Sequence, residues 1–124
     1  MKRILNINYE HYPTLEELPE ADLLLVREAE SATATANAPY SNFRVGAAVR
    51  LRSGETLQAS NFESEVYPAG LCAERSAIFA AQSQYPDKAV KAIAIAARDI
   101  SGQLLSKPIT PCGSCRQVIL EMEK

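Results

Sequence analysis

Apolar residues first recur at helical spacing between positions 25 and 36. Leu25, Ala29, Ala32 and Ala36 fall on one stripe, the buried face of an amphipathic helix. Pro19 stands near its first turn, followed by Glu20 and Asp22, acidic residues that suit the positive end of a helix dipole. Asn37 and Pro39 end it. The period then shortens. Val45, Ala47, Val49 and Leu51 alternate with Gly46, Ala48, Arg50 and Arg52, which predicts a strand. Ser53-Gly54 turns the chain, and residues 56–62 return as the second arm of a hairpin. The small residues in this alternation predict helices pressed closely onto a sheet. Residues 71–83 read as a second helix, apolar nearly all round through Ala73, Ala77, Ile78, Phe79, Ala80 and Ala81, and such a helix is buried. Residues 89–98 form an apolar run followed by Asp99-Ile100-Ser101-Gly102, and its length and punctuation favour a central strand. Pro108, Thr110 and Pro111 lead into a third helix from Cys112, with Val118, Ile119 and Met122 on one face.

Length changes this picture little: 124 residues suit a single domain with a respectable core. The formal charge of −2 and the absence of a Lys/Arg cluster argue against a nucleic-acid partner. The longest apolar run, 92–97, is far below membrane-spanning length. Met1-Lys2-Arg3 is followed by a stretch too short and polar for a leader's apolar region. With free thiols in addition, the expectation is a cytoplasmic protein without a membrane or nucleic-acid partner.

The candidate chemistry rests on three cysteines, Cys72, Cys112 and Cys115, and on Glu74, two positions after the first of them. Zinc held by thiolates is tetrahedral, and a structural site fills all four positions with protein ligands. Three protein ligands leave one position for water, the arrangement of a catalytic site, and Glu74 is placed to handle that water's protons. Three thiolates against one dication overcharge the site. Helix N-termini at the cysteines, and Arg75 or Arg116 close behind them, are candidates to drain that charge. Arg75 also reads as an ordinary surface ion-pair residue. His11 is the only histidine. It lies far from the cysteines and reads as a turn or surface residue.

The chain resembles the small, zinc-dependent cytidine deaminase family of the three-cysteine type. The likeness is carried by Ala38-Pro39-Tyr40-Ser41-Asn42-Phe43-Arg44-Val45-Gly46-Ala47-Ala48, by Asn61-Phe62-Glu63, by Tyr67-Pro68-Ala69-Gly70-Leu71-Cys72-Ala73-Glu74-Arg75 and by Pro111-Cys112-Gly113-Ser114-Cys115-Arg116-Gln117-Val118. Three cysteines, a non-ligand glutamate and P-C-x-x-C are the signature of zinc deaminases. The resemblance implies an α/β, three-layer α/β/α fold with a mixed sheet. It implies hydrolytic deamination of cytidine or deoxycytidine to uridine or deoxyuridine plus ammonia, in pyrimidine salvage. Zn2+ would be held by Cys72, Cys112 and Cys115, with zinc-bound hydroxide attacking the ring and Glu74 as the proton shuttle.

By the same resemblance Asn61 and Glu63 bind the ribose hydroxyls, although as residues alone they also read as a polar strand end. Phe43 packs either in the core or against the pyrimidine ring. The Ala73 amide reads the base, Arg75 donates to thiolate sulfur, and Tyr67 reaches a neighbouring subunit's pocket in a homo-oligomer, a tetramer or a dimer. Ser64-Glu65-Val66 departs from the family's small neutral residues, and Glu65 would set an anion near the 5′-hydroxyl, repelling a nucleotide. The family carries further strands after the third helix. The sequence therefore reads as one deaminase-like domain over 1–124, with a helical N-terminal extension to about residue 37 and an apparent truncation at the C-terminus. The third strand is then expected to have an unpaired edge. Four other readings stay open: a catalytically silent zinc-binding relative, a deaminase of another cytosine-bearing compound such as blasticidin S, a structural zinc module with its fourth ligand from His11 or a partner's residue, and a redox Cys-x-x-Cys.

Overall fold

β1 (Arg44–Leu51) is the middle strand of a three-stranded sheet, paired with β2 (Thr56–Ser60) on one side and β3 (Val90–Arg98) on the other, in a computed structural model that describes residues 1–123. Its residues dictate that place. Gly46, Ala47, Ala48 and Val49 are all buried, so both faces of the strand must be covered. Ala47, Val49 and Leu51 pack against Ala73, Ala77, Ile78 and Ala81 of α2 (Ala73–Gln84). Ala48 joins Leu25 and Ala29 of α1 (Glu20–Ala32) and Ala94 of β3. The three layers are helix, sheet and helix. α3 (Gly113–Glu121) lies beside α2, and Val118, Ile119 and Met122 pack onto the first of these cores.

Gly46 shows how closely α1 sits on the sheet. A Cβ at this position would lie 2.0 Å from the Ala29 carbonyl oxygen and 2.8 Å from the Thr33 amide nitrogen. The contact is backbone on backbone, so no side chain can rotate away. Gly46→Ala should therefore cost at least the roughly 1–3 kcal/mol typical of an overpacked core. A thermal melt reads it, and an unchanged melting temperature would mean that α1 is free to slide.

The sheet departs from the mixed arrangement expected, because β1 pairs antiparallel on both sides. β2 and β3 do run parallel, and α2 is the crossover between them, but β1 lies between the two and no parallel pair forms. β2 ends at Ser60 and not at 62, where Phe62 instead bridges to Asn37 and to Leu71. α2 leaves Phe79 exposed, so it buries a stripe and not its whole circumference. The N-terminal extension is less helical than expected. Residues 1–14 hold no regular structure, and a short 3-10 turn at Leu15–Glu17 precedes α1.

Among the described residues β3 is an edge strand with only β1 beside it, and not the central strand that its apolar run suggested. Its far end is partly covered: the Leu105 amide donates to the Ala97 carbonyl at 2.9 Å, and Leu104 bridges to Arg98. The rest borders an apolar groove lined by Ile78, Val90, Ile93, Ile119 and Met122. Among the described residues no helix is long and apolar enough to cross a membrane.

Candidate metal centre and substrate cleft

Two helix N-termini converge, and each carries thiols. Cys72 is the residue before the first turn of α2, and Cys112 stands in the same position on α3. Cys115, three residues further on, returns to the same side of α3. The three sulfurs lie within 4.8 Å of one another, with Cys72 and Cys112 at 3.8 Å. Tetrahedral zinc with Zn–S bonds of about 2.3 Å sets sulfur pairs about 3.8 Å apart, so the donor set fits that ion. His11 is exposed and takes no part in the cluster. Among the described residues the site is one protein ligand short of a closed structural centre.

The sulfurs are not equivalent. Cys112 is exposed and its thiol is pushed down, chiefly by the Cys115 backbone N–H, with the Cys115 thiol, Cys72 and the Ser114 N–H adding to it. These are unpaired donors of the α3 N-terminus, and they favour a thiolate. Cys115 is buried, and burial pushes its thiol up, with Cys112 and Glu74 reinforcing the shift. Arg75 Nη2 donates to Cys72 Sγ at 3.3 Å, and this bond is the main reason its own pKa is raised. The surface ion-pair reading of Arg75 fails, since its guanidinium is part-buried on sulfur. Arg116 behaves otherwise: its Nε donates to the Pro111 carbonyl at 3.0 Å and not to a thiol.

Glu74 sits in the first turn of α2 with only 5% of its surface exposed. Burying a carboxylate is costly, and this one lies beside the Cys115 thiol. Ala73 is fully buried at the first position of the same helix. Its amide is one of the first four, which have no partner within the helix.

Asn61 and Glu63 brace the loop ahead of β1. Asn61 Oδ1 accepts from the Val45 amide at 2.9 Å, while Nδ2 donates to the Phe43 carbonyl at 3.0 Å. Glu63 accepts from the amides of Tyr40 and Ser41 at 3.0 and 3.1 Å and from the Ser41 hydroxyl at 2.6 Å. These bonds, led by that hydroxyl, hold the Glu63 carboxyl below its ordinary range. Phe43 is 37% exposed, so it is no core residue. Tyr67, in the 3-10 turn Tyr67–Ala69, is 91% exposed. Ser41 was not singled out by sequence reasoning. Its sequence signal was a place in the 38–48 segment that carries the family likeness; in the structure it stands beside Asn42, which takes a φ of 54°.

Residues 19–124 match the family described as the cytidine and deoxycytidylate deaminase zinc-binding region. The chain belongs to this deaminase family. It is 39% identical over 99 residues to a cytidine deaminase of Halalkalibacterium halodurans, spanning 80% of this chain and 70% of that protein. To a cytidine deaminase of Sporosarcina psychrophila it is 41% identical over 97 residues, spanning 78% and 66%. The crystal structure of cytidine deaminase from Burkholderia pseudomallei superposes with a TM-score of 0.68 at 38% identity, covering 80% of this chain and 74% of that one. Every candidate residue from Phe43 to Cys115 falls inside the matched deaminase region, and residues 1–18 fall outside it.

Zinc is the cofactor of this deaminase family, and Arg75 is the charged donor to its ligands. Without Arg75 the sulfurs hold more charge, a poorer setting for acidifying water. Arg75→Gln should lower activity about 10–100-fold, as outer ligand-support changes do, with a smaller effect on melting temperature. The acid limb of the pH–rate profile should move upward. An unchanged profile would reduce Arg75 to a packing residue.

Proposed function

We propose that this chain deaminates cytidine or deoxycytidine hydrolytically, to uridine or deoxyuridine and ammonia. The observation that carries this reading is the conjunction of three sulfurs at zinc spacing with one buried carboxylate, Glu74, beside them. Zinc, when bound, supplies a water acidified enough to act as a nucleophile near neutral pH. The chain's residues do the rest. Glu74 takes a proton from the attacking water, gives it to the ring nitrogen, and in a later transfer protonates the amine as the C4–N bond breaks. The free Ala73 amide reads the base, and Phe43 packs against the pyrimidine.

Asn61 and Glu63 take the ribose hydroxyls. An amide and a carboxylate suit that work, because sugar hydroxyls need acceptors once water is excluded. Both side chains are already rigid, so little entropy is lost on binding. Tyr67, turned outward, serves a neighbouring copy in a homotetramer, and the exposed Phe62 and Val66 beside it belong to that interface. Exposed Glu65 disfavours a nucleotide relative to a nucleoside. The setting is cytoplasmic pyrimidine salvage.

A spectrophotometric assay with cytidine, deoxycytidine, free cytosine and blasticidin S, on protein of measured zinc content, tests the reading. Turnover of the two nucleosides is expected. Full zinc with no turnover would identify a silent relative, and turnover of blasticidin S alone would move the substrate elsewhere.

A further inference from the structure

We propose that Ser41 is the positioning residue of the sugar subsite, fixing the Glu63 carboxylate and tying it to the backbone that carries Phe43. The proposal rests on the nucleoside deaminase reading above. Glu63 Oε1 takes two backbone N–H donors, from Tyr40 and Ser41. Among the described residues Oε2 takes only the Ser41 hydroxyl, at 2.6 Å. A hydroxyl has a single proton, and the direction of this one is settled, because Ser41 Oγ itself accepts from the Phe43 amide at 3.0 Å. An ionised carboxylate oxygen has room for two donors. Oε1 is filled from within the chain, so Oε2 is the oxygen left for a sugar hydroxyl, and Ser41 decides where Oε2 points.

The same hydroxyl joins two parts of the cleft. Phe43 is held through its amide by Ser41 and through its carbonyl by Asn61 Nδ2. A sugar hydroxyl drawn to Oε2 is thereby registered against the aromatic ring meant for the base. Losing the Ser41 hydroxyl leaves both amide bonds on Oε1 but lets the carboxylate rotate about its last torsion. A charge-assisted bond from a hydroxyl to a carboxylate is among the stronger neutral-donor contacts, so its loss has a measurable effect.

The test compares cytidine with 2′,3′-dideoxycytidine, which lacks the hydroxyls that Oε2 would bind. Ser41→Ala should raise KM for cytidine about tenfold with kcat nearly kept, and raise KM for the dideoxynucleoside far less, since there only the Phe43 anchor is lost. Ser41→Thr, which keeps the hydroxyl, should restore the cytidine value. A substrate-free readout accompanies it: the Glu63 carboxyl, followed by NMR, should titrate nearer its ordinary value of 4.5 in Ser41→Ala than in the parent protein. Equal KM changes for both substrates, or a Glu63 titration that does not move, would overturn the role of Ser41 while leaving the deaminase reading intact. A parent protein that turns over neither nucleoside would overturn the deaminase reading, and the sugar subsite with it.

Discussion

Glu74→Gln is expected to keep zinc and fold and to lose turnover by at least the 10²–10⁴-fold, roughly, that one positioned acid–base group contributes. The loss should sit at the upper end, since a single carboxylate serves every proton transfer. Two structural facts make the variant clean. Glu74 is outside the three-sulfur cluster, so the ligand set is untouched. Its side chain is buried in the first turn of α2, and an amide of the same shape fills the same space without an ion. Removing a buried charge need not destabilise the fold, and the melting temperature should stay level or rise. The decisive pair of measurements is zinc stoichiometry and kcat on one preparation. Near-normal kcat with full zinc would mean that another group moves the protons.

The second large effect belongs to the thiols. Cys72→Ala, Cys112→Ala and Cys115→Ala should each lose zinc and stability together, because metal binding at such a site is linked to folding. A ligand present at a thousand times its Kd stabilises by about 4 kcal/mol, which in a domain of this size is roughly 10–20 °C of melting temperature. All three variants should fall by an amount of that order. Cys115→Ala should fall furthest, since its side chain is fully buried and also leaves a void. A redox Cys-x-x-Cys makes the opposite forecast for Cys72, whose loss would leave zinc content and melting temperature nearly unchanged. Stripping zinc from the parent protein with a chelator should reproduce the falls of Cys72→Ala and Cys112→Ala.

Much of this was readable from the order of residues. The 3.6-residue stripe of α1 and the two-residue alternation of β1 are local patterns, and so is the run that became β3. Each survived because packing agreed with it. Cysteine spacing also carried the site: a three-residue step on a helix start can face two thiols one way, whatever the rest of the chain does. The sequence also specified Glu74, because its place depends only on its distance from Cys72 along one helix.

Tertiary structure decided what depends on elements distant in sequence. Whether the sheet was mixed could not follow from strand patterns, because it turns on β1 lying between β2 and β3. Arg75 stands three residues behind Cys72 and Arg116 one behind Cys115, yet only Arg75 reaches sulfur; Arg116 is captured by a carbonyl. Gly46 looked like one more small residue until α1 was seen resting on it. Ser41 and Glu63 are 22 residues apart, and nothing in either segment announces the other. Local periodicity reports which face of an element avoids water. Which donor meets which acceptor across a gap is settled only when the core brings the elements together.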